Sequence, residues 1–138
     1  MQKLNKEADD SINASPEGED LLQWNAFIEG PHDTIWEGGL FELSIKFTQD
    51  YPTKAPNIKF TTKMFHPNIY NDGSICLDIL SNQWSPIYDV WAVLTSIRSL
   101  LADPNPNSPA NGEAAHMYRS NKQEYEKRVK DVVEKSLE

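Results

Sequence analysis

Residues 41–47 read Phe-Glu-Leu-Ser-Ile-Lys-Phe and hold the cleanest alternation in the chain. Apolar side chains stand at Phe41, Leu43, Ile45 and Phe47, with a polar residue between each pair. Because successive side chains of a strand point to opposite faces, this pattern predicts a strand with one face on a core. We expect its polar face to meet water.

The neighbouring segments extend this strand into a sheet. On the N-terminal side, residues 22–29 alternate with the same period of two, and on the C-terminal side Ile58 and Phe60 begin a further strand after the proline-rich segment 50–56. Short connections between successive strands predict an antiparallel meander of about four strands. Leu4, Ala8 and Ile12 are spaced four apart, which predicts an N-terminal helix before a break at residues 15–18.

Helical periodicity dominates the second half of the chain. Val90, Leu94, Ile97 and Leu101 recur at helical spacing before residues 103–106, Asp-Pro-Asn-Pro, end the helix. A short helix through Ala114, Ala115 and Tyr118 and a last helix through Tyr125, Val129, Val132 and Val133 follow. The sequence therefore predicts an α+β fold with an N-terminal helix, a meander sheet and helices covering one face of it, in a single domain over residues 1–138.

Composition excludes several classes of protein. The net charge of −8 argues against binding the phosphate backbone of nucleic acid, and no apolar run is long enough to span a bilayer. One cysteine and three histidines give neither an internal disulfide nor zinc-ligand spacing, so we predict no metal and no cofactor. We expect a soluble protein of a reducing compartment, the cytoplasm, the nucleus or both.

The single cysteine lies in the segment 66–78, which reads HPNIYNDGSICLD. A lone cysteine is often a buried structural residue, yet Pro67 and the turn formers at 71–74 predict a fixed loop that presents polar groups close to Cys76. Loops of this kind carry function more often than cores do. The segment is therefore the candidate active site.

This segment resembles the catalytic core of ubiquitin-conjugating enzymes, as do Gln-Trp-Ser-Pro at 83–86 and the loop 103–111. The resemblance covers essentially the whole chain. The sequences ICLDIL, MFHPN and PNPNSPAN are most similar to those of the subgroup associated with DNA-damage tolerance and chromatin ubiquitination. It implies that Cys76 accepts ubiquitin from an activating enzyme as a thioester, which the amine of a substrate lysine then attacks.

The resemblance also implies roles for the neighbours of Cys76. Tyr70, Asp78 and Ser108 would line the approach of the lysine, where an apolar wall and an acceptor desolvate and orient the amine. Many members have an aspartate in place of Ser108. Asn68 would either donate to the oxyanion or hold the loop in place, and His66 is expected to be structural.

The partners implied are ubiquitin, its activating enzyme, RING-type ubiquitin ligases and protein substrates. Ligases would contact two loops, one with Pro52 and Thr53 and the other with Ser85, Pro86 and Ile87. Thr53 stands where many members carry a large aromatic residue.

Three alternatives remain open from the sequence. A cysteine hydrolase would pair Cys76 with His66 or His116 as a base. A non-catalytic interaction domain would keep the fold and abandon the chemistry. A carrier of another ubiquitin-like modifier would use the same residues on a different cargo.

Overall fold

A computed structural model describes residues 12–17, 20–51, 53–80, 84–85, 89–105 and 109–137 of the chain. Four strands form one antiparallel sheet in the order β1-β2-β3-β4. The predicted meander of about four strands is confirmed. The strands are β1 (Ile12–Glu17), β2 (Asp20–Glu29), β3 (Leu40–Lys46) and β4 (Asn57–Phe60).

The alternation at the centre of the sequence places one face of β3 in the core. Phe41, Leu43 and Ile45 are fully buried, and Phe41 lies opposite Ile28 and Leu43 opposite Ala26 in the register with β2. The other face of the sheet, called the outer face below, carries mainly polar side chains. Its members on β2, β3 and β4 are Gln23, Asn25, Phe27, Glu29, Leu40, Glu42, Ser44, Lys46, Asn57 and Lys59.

The first strand differs from the prediction. Ile12, predicted as the last apolar residue of an N-terminal helix, opens β1 opposite Ile28 and is only 7% exposed. Residues 15–17, predicted as a break, continue the strand to a register shift between Pro16 and Glu17. Proline is tolerated here because β1 lies at the edge of the sheet, and an edge strand needs its hydrogen bonds on one side only. Leu4 and Ala8 of the predicted helix lie outside the described residues.

The three helices predicted after the sheet are confirmed, and each begins at a capping side chain. Asp89 accepts from the Ala92 amide at 2.8 Å, and Asn111 and Asn121 cap the next two helices in the same way. A 3-10 turn, Asp78–Leu80, precedes them. The helices are α1 (Val90–Ala102), α2 (Gly112–Ser120) and α3 (Lys122–Ser136).

Two of the helices cover the inner face of the sheet. Val93, Leu94, Ile97 and Leu101 of α1 are buried in the core together with Tyr125, Val129 and Val133 of α3. Burying an aliphatic or aromatic side chain of this size contributes about 1.5–3 kcal/mol, so this packing is a main source of stability. In the described part of the chain, no helix has the length and apolar character needed to cross a membrane.

Candidate active site

The segment 66–78 is docked along β4. The Phe60 amide donates to the Gly73 carbonyl at 2.9 Å, and an isolated bridge pairs Lys59 with Ser74. Gly73 has φ +95°, and a Cβ built on it would lie 2.0 Å from the Phe60 carbonyl oxygen. Only glycine fits this close approach, so Gly73 fixes the loop against the sheet.

The turn before Cys76 is closed by its own hydrogen bonds. The Tyr70 amide donates to the Ser74 carbonyl at 2.8 Å, and the Gly73 amide donates to the Tyr70 carbonyl at 2.9 Å. Asp72 accepts from the Ser74 amide at 2.9 Å, and this bond is the main reason that the pKa of Asp72 lies below its usual value. The turn formers recognised in the sequence thus build a loop of fixed shape.

His66 is a structural residue of this loop. It is fully buried, its Nδ1 accepts from the Asn68 amide at 2.9 Å and its Nε2 donates to the Leu100 carbonyl of α1 at 2.8 Å. These partners define a neutral imidazole with the proton on Nε2. Burial lowers the pKa of His66 to about 4, against an ordinary value of 6.5. The histidine therefore ties the loop to α1.

Asn68 joins the loop to the segment after α1. Its Nδ2 donates to the Asn105 carbonyl at 2.7 Å, and the Asn105 amide donates to Asn68 Oδ1, also at 2.7 Å. The carbonyl of Pro67 accepts from Ala110 at 2.7 Å and from Asn111 at 3.1 Å. The chain on both sides of residues 106–108 is thus hydrogen-bonded to two successive residues of the loop.

Cys76 follows directly from this scaffold. Its amide donates to the Asn68 carbonyl at 2.8 Å, and Ile75 before it is bridged to Ile69. The residue is half-buried and its thiol is not in a disulfide. A thiol that is partly exposed on a rigid loop can react with a large partner, which a core cysteine cannot.

The other predicted site residues divide into two groups. Tyr70 is 46% exposed on the same loop as Cys76 and Asn68, and Asp78 begins the 3-10 turn two residues after the cysteine. Ser108 lies outside the described residues, and so do Pro52, Pro86 and Ile87 of the predicted ligase surface. Thr53 is exposed, whereas Ser85 is half-buried.

Trp84 is half-buried against the core cluster, with its ring centroid 6.3 Å from that of Tyr51.

The geometry does not favour a cysteine hydrolase. Both ring nitrogens of His66 are engaged within the loop scaffold, so the ring offers no lone pair to the thiol of Cys76. His116 is exposed on α2. Among the described residues, no group of three or more histidine, cysteine or carboxylate side chains is arranged to hold a metal ion.

Sequence reasoning missed four backbone groups of the scaffold. The amide and carbonyl of Asn105 and the amides of Ala110 and Asn111 carry the contacts with the loop. The proline- and asparagine-rich composition of residues 103–111 indicated a loop there, but backbone donors and acceptors leave no signature of their own in a sequence.

Comparison with known proteins identifies the family. The family model for "Ubiquitin-conjugating enzyme" matches residues 1–133. Ubiquitin-conjugating enzyme E2 3 of Arabidopsis thaliana is 58% identical over 136 residues, which cover 99% of this chain and 91% of that protein. Ubiquitin-conjugating enzyme E2 1 of Caenorhabditis elegans is 56% identical over 136 residues, which cover 99% of this chain and 71% of that protein. The chain belongs to the ubiquitin-conjugating enzymes.

Membership of the family defines the class of activity. The protein is a transferase that carries ubiquitin, and its partners in general terms are ubiquitin, the activating enzyme and ubiquitin ligases. The resemblance to the ubiquitin-conjugating enzyme family is confirmed, and so is the α+β fold.

Proposed function

We propose that Cys76 is the residue that carries ubiquitin. Its sulfur attacks the thioester carbonyl that joins ubiquitin to the activating enzyme, a new carbon–sulfur bond forms and the thiolate of the activating enzyme leaves. The observation that carries the proposal is a half-buried, reduced Cys76 on a loop fixed by hydrogen bonds, in a chain of this family.

The second transfer goes to a lysine amine. The neutral amine attacks the Cys76 thioester, a carbon–nitrogen bond forms, the Cys76 thiolate leaves and the amine loses a proton. An unperturbed lysine has a pKa near 10.4, so a site that desolvates and orients the amine accelerates the step. We assign this role to Tyr70, Asp78 and Ser108, of which Tyr70 is exposed on the same loop as the cysteine.

We assign to Asn68 the role of holding the loop that carries Cys76 in place. Its carboxamide makes two hydrogen bonds of 2.7 Å to the backbone of Asn105, and its own carbonyl accepts from Cys76. A side chain engaged on both its oxygen and its nitrogen supports a positioning role rather than a dedicated oxyanion donor.

The partner surfaces follow from family membership. We place the contact with RING-type ligases on Pro52 and Thr53 of one loop and on Ser85, Pro86 and Ile87 of the other. The substrates are proteins, the domain spans residues 1–138 and the protein works in the cytoplasm, the nucleus or both.

A charging reaction tests the proposal. The protein is mixed with activating enzyme, ATP and ubiquitin, and the products are separated on a non-reducing gel. We expect a band larger by one ubiquitin that disappears with thiol and is absent in Cys76→Ala. Absence of the band with ubiquitin, but its appearance with another ubiquitin-like protein, would identify a different cargo, and absence with all of them would indicate a non-catalytic domain.

A further inference from the structure

Four aromatic side chains form a ladder that runs from the sheet towards the proposed ligase surface. Trp24 of β2 meets Phe47 edge to face with ring centroids 6.1 Å apart, and Phe47 meets Tyr51 in the same way at 4.7 Å. Tyr51 is in turn tilted against Trp84, with centroids 6.3 Å apart. All four side chains are half-buried. The mechanism above uses none of them.

The sheet end of this aromatic ladder is held by backbone pairing. Trp24 lies opposite Ile45 in the register of β2 with β3, and the amide of Phe47, just after β3, donates to the Leu22 carbonyl at 2.8 Å. Trp24 and Phe47 also pack against the buried core. Edge-to-face pairs stabilise beyond the area that they bury, so the ring of Tyr51 rests on the sheet rather than on another loop.

The other end of the ladder joins the two loops of the ligase surface. Tyr51 directly precedes the loop that contains Thr53, and its ring partner Trp84 directly precedes Ser85 of the second loop. The contact between Tyr51 and Trp84 therefore connects two segments that are distant in sequence, at the point where each loop begins.

The residue that follows the second loop also lies near Tyr51. Asp89 comes after residues 85–88 and caps α1 by accepting from the Ala92 amide at 2.8 Å. Burial raises the pKa of Tyr51 above its ordinary value, and the nearby carboxylate of Asp89 adds to this rise because it disfavours the phenolate. Residues 85–88 are thus bounded by two groups close to Tyr51, the ring of Trp84 before them and the carboxylate of Asp89 after them.

A fixed spacing of the two loops favours the binding of a partner that contacts both. Such a partner loses less conformational entropy on binding when the loops are already held in place. Thr53 is exposed but has no large ring with which to fill a pocket on the ligase. The fit of this surface thus depends more on the relative position of its loops than on an aromatic anchor at Thr53.

We propose that Tyr51 is a positioning residue for ligase binding, whose ring sets the spacing between the loop that contains Thr53 and the loop that contains Ser85. The ring acts through its contact with Trp84, and not through a contact of its own with the ligase. This inference rests on the contact with RING-type ligases proposed above.

The test compares Tyr51→Leu with Tyr51→Phe in the enzyme charged with ubiquitin. Discharge of preformed thioester to free lysine is followed on a non-reducing gel at increasing concentrations of an isolated RING domain, the one of a panel that most accelerates discharge from the wild type. Leucine removes the ring contacts, so the half-maximal RING concentration should rise about five-fold, the contribution of one aromatic pair. Phenylalanine keeps the ring, so Tyr51→Phe should stay within about two-fold of the wild type.

Tyr118→Leu is the matched control. Tyr118 is also a half-buried tyrosine in edge-to-face contact with another ring, that of Tyr125 at 5.1 Å, but it lies on α2 and outside the aromatic ladder. Both leucine variants should unfold at lower urea concentrations, and only Tyr51→Leu should respond less to the RING domain. A purely structural role would make the response follow the loss of stability in both variants.

Three results would count against this assignment, each at a different level. An unchanged half-maximal concentration in Tyr51→Leu, or the same rise in Tyr118→Leu, would overturn the inference alone. A thioester that forms but is accelerated by no RING domain would show the proposed ligase contact to be wrong, and the inference with it. Failure of the thioester to form would contradict the role of Cys76, on which the ligase contact depends.

Discussion

The carboxamide of Asn68 and the backbone of Asn105 exchange two hydrogen bonds, each 2.7 Å long, across 37 residues of sequence. The same Asn68 accepts the amide of Cys76 on its own carbonyl. The nucleophile is therefore held by a residue that is itself held by the segment after α1. Loop geometry and chemistry at the cysteine are coupled through this contact.

Replacement of Asn68 by alanine should lower both stability and transfer. It leaves the amide and carbonyl of Asn105 without these partners, and an unsatisfied group costs about 1–3 kcal/mol where it stays away from water. Urea unfolding measures the first effect and discharge of preformed thioester to free lysine measures the second. Slower discharge at unchanged stability would contradict the positioning role and favour an oxyanion donor.

Replacement of Gly73 by alanine should destabilise the protein by more than about 2 kcal/mol, because φ is +95° and the new Cβ would meet the Phe60 carbonyl at 2.0 Å. The control is Gly112→Ala at the start of α2, where a Cβ meets nothing within 4 Å. That variant should be as stable as the wild type or slightly more so. Equal unfolding midpoints for the two variants would refute the close-approach account.

The lowered pKa of His66 should make the stability of the protein depend on pH. Its pKa is about 4 in the folded protein and 6.5 ordinarily, so between these values the unfolded chain binds the extra proton. Stability from this residue is present above pH 6.5 and is lost as pH falls towards 4, by about 3 kcal/mol in all. In urea titrations at several pH values, His66→Gln should show a smaller decline over this window. An unchanged decline in that variant would remove His66 as its cause.

Replacement of Tyr125 by phenylalanine is expected not to destabilise the protein, unlike the replacements above. Its hydroxyl is buried with no hydrogen-bond partner among the described residues, and burial raises its pKa. Removing an unsatisfied polar atom relieves a desolvation cost, so Tyr125→Phe should be neutral or stabilising by up to about 1 kcal/mol. Val129→Ala on the same helix should destabilise by cavity formation. A loss of more than about 1 kcal/mol in Tyr125→Phe would show that the hydroxyl is satisfied after all.

Local patterns predicted most of the fold. The alternation through Phe41 and Ile45 and the helical spacing from Val90 to Leu101 are properties of single elements, so sequence alone reveals them. Strand β1 was not predicted, because Pro16 and Glu17 have the composition of a turn and an edge strand tolerates them.

The candidate site was predictable only in part. The sequence motif indicated Cys76 and Asn68 as site residues. The groups that hold their loop in place are backbone groups of Asn105, Ala110 and Asn111, which only the tertiary structure brings close to it.

The most direct test of the central claim is the intact mass of the protein after incubation with activating enzyme, ATP and ubiquitin, for the wild type, Cys76→Ser and Cys76→Ala. We predict a mass increase of one ubiquitin less one water, because a water is lost when the carboxylate of ubiquitin becomes a thioester. Thiol should remove this added mass from the wild type but not from the oxygen ester of the serine variant. The alanine variant should gain no mass. A ubiquitin adduct on Cys76→Ala, or one on the wild type that resists thiol, would contradict the assignment of Cys76 as the carrier.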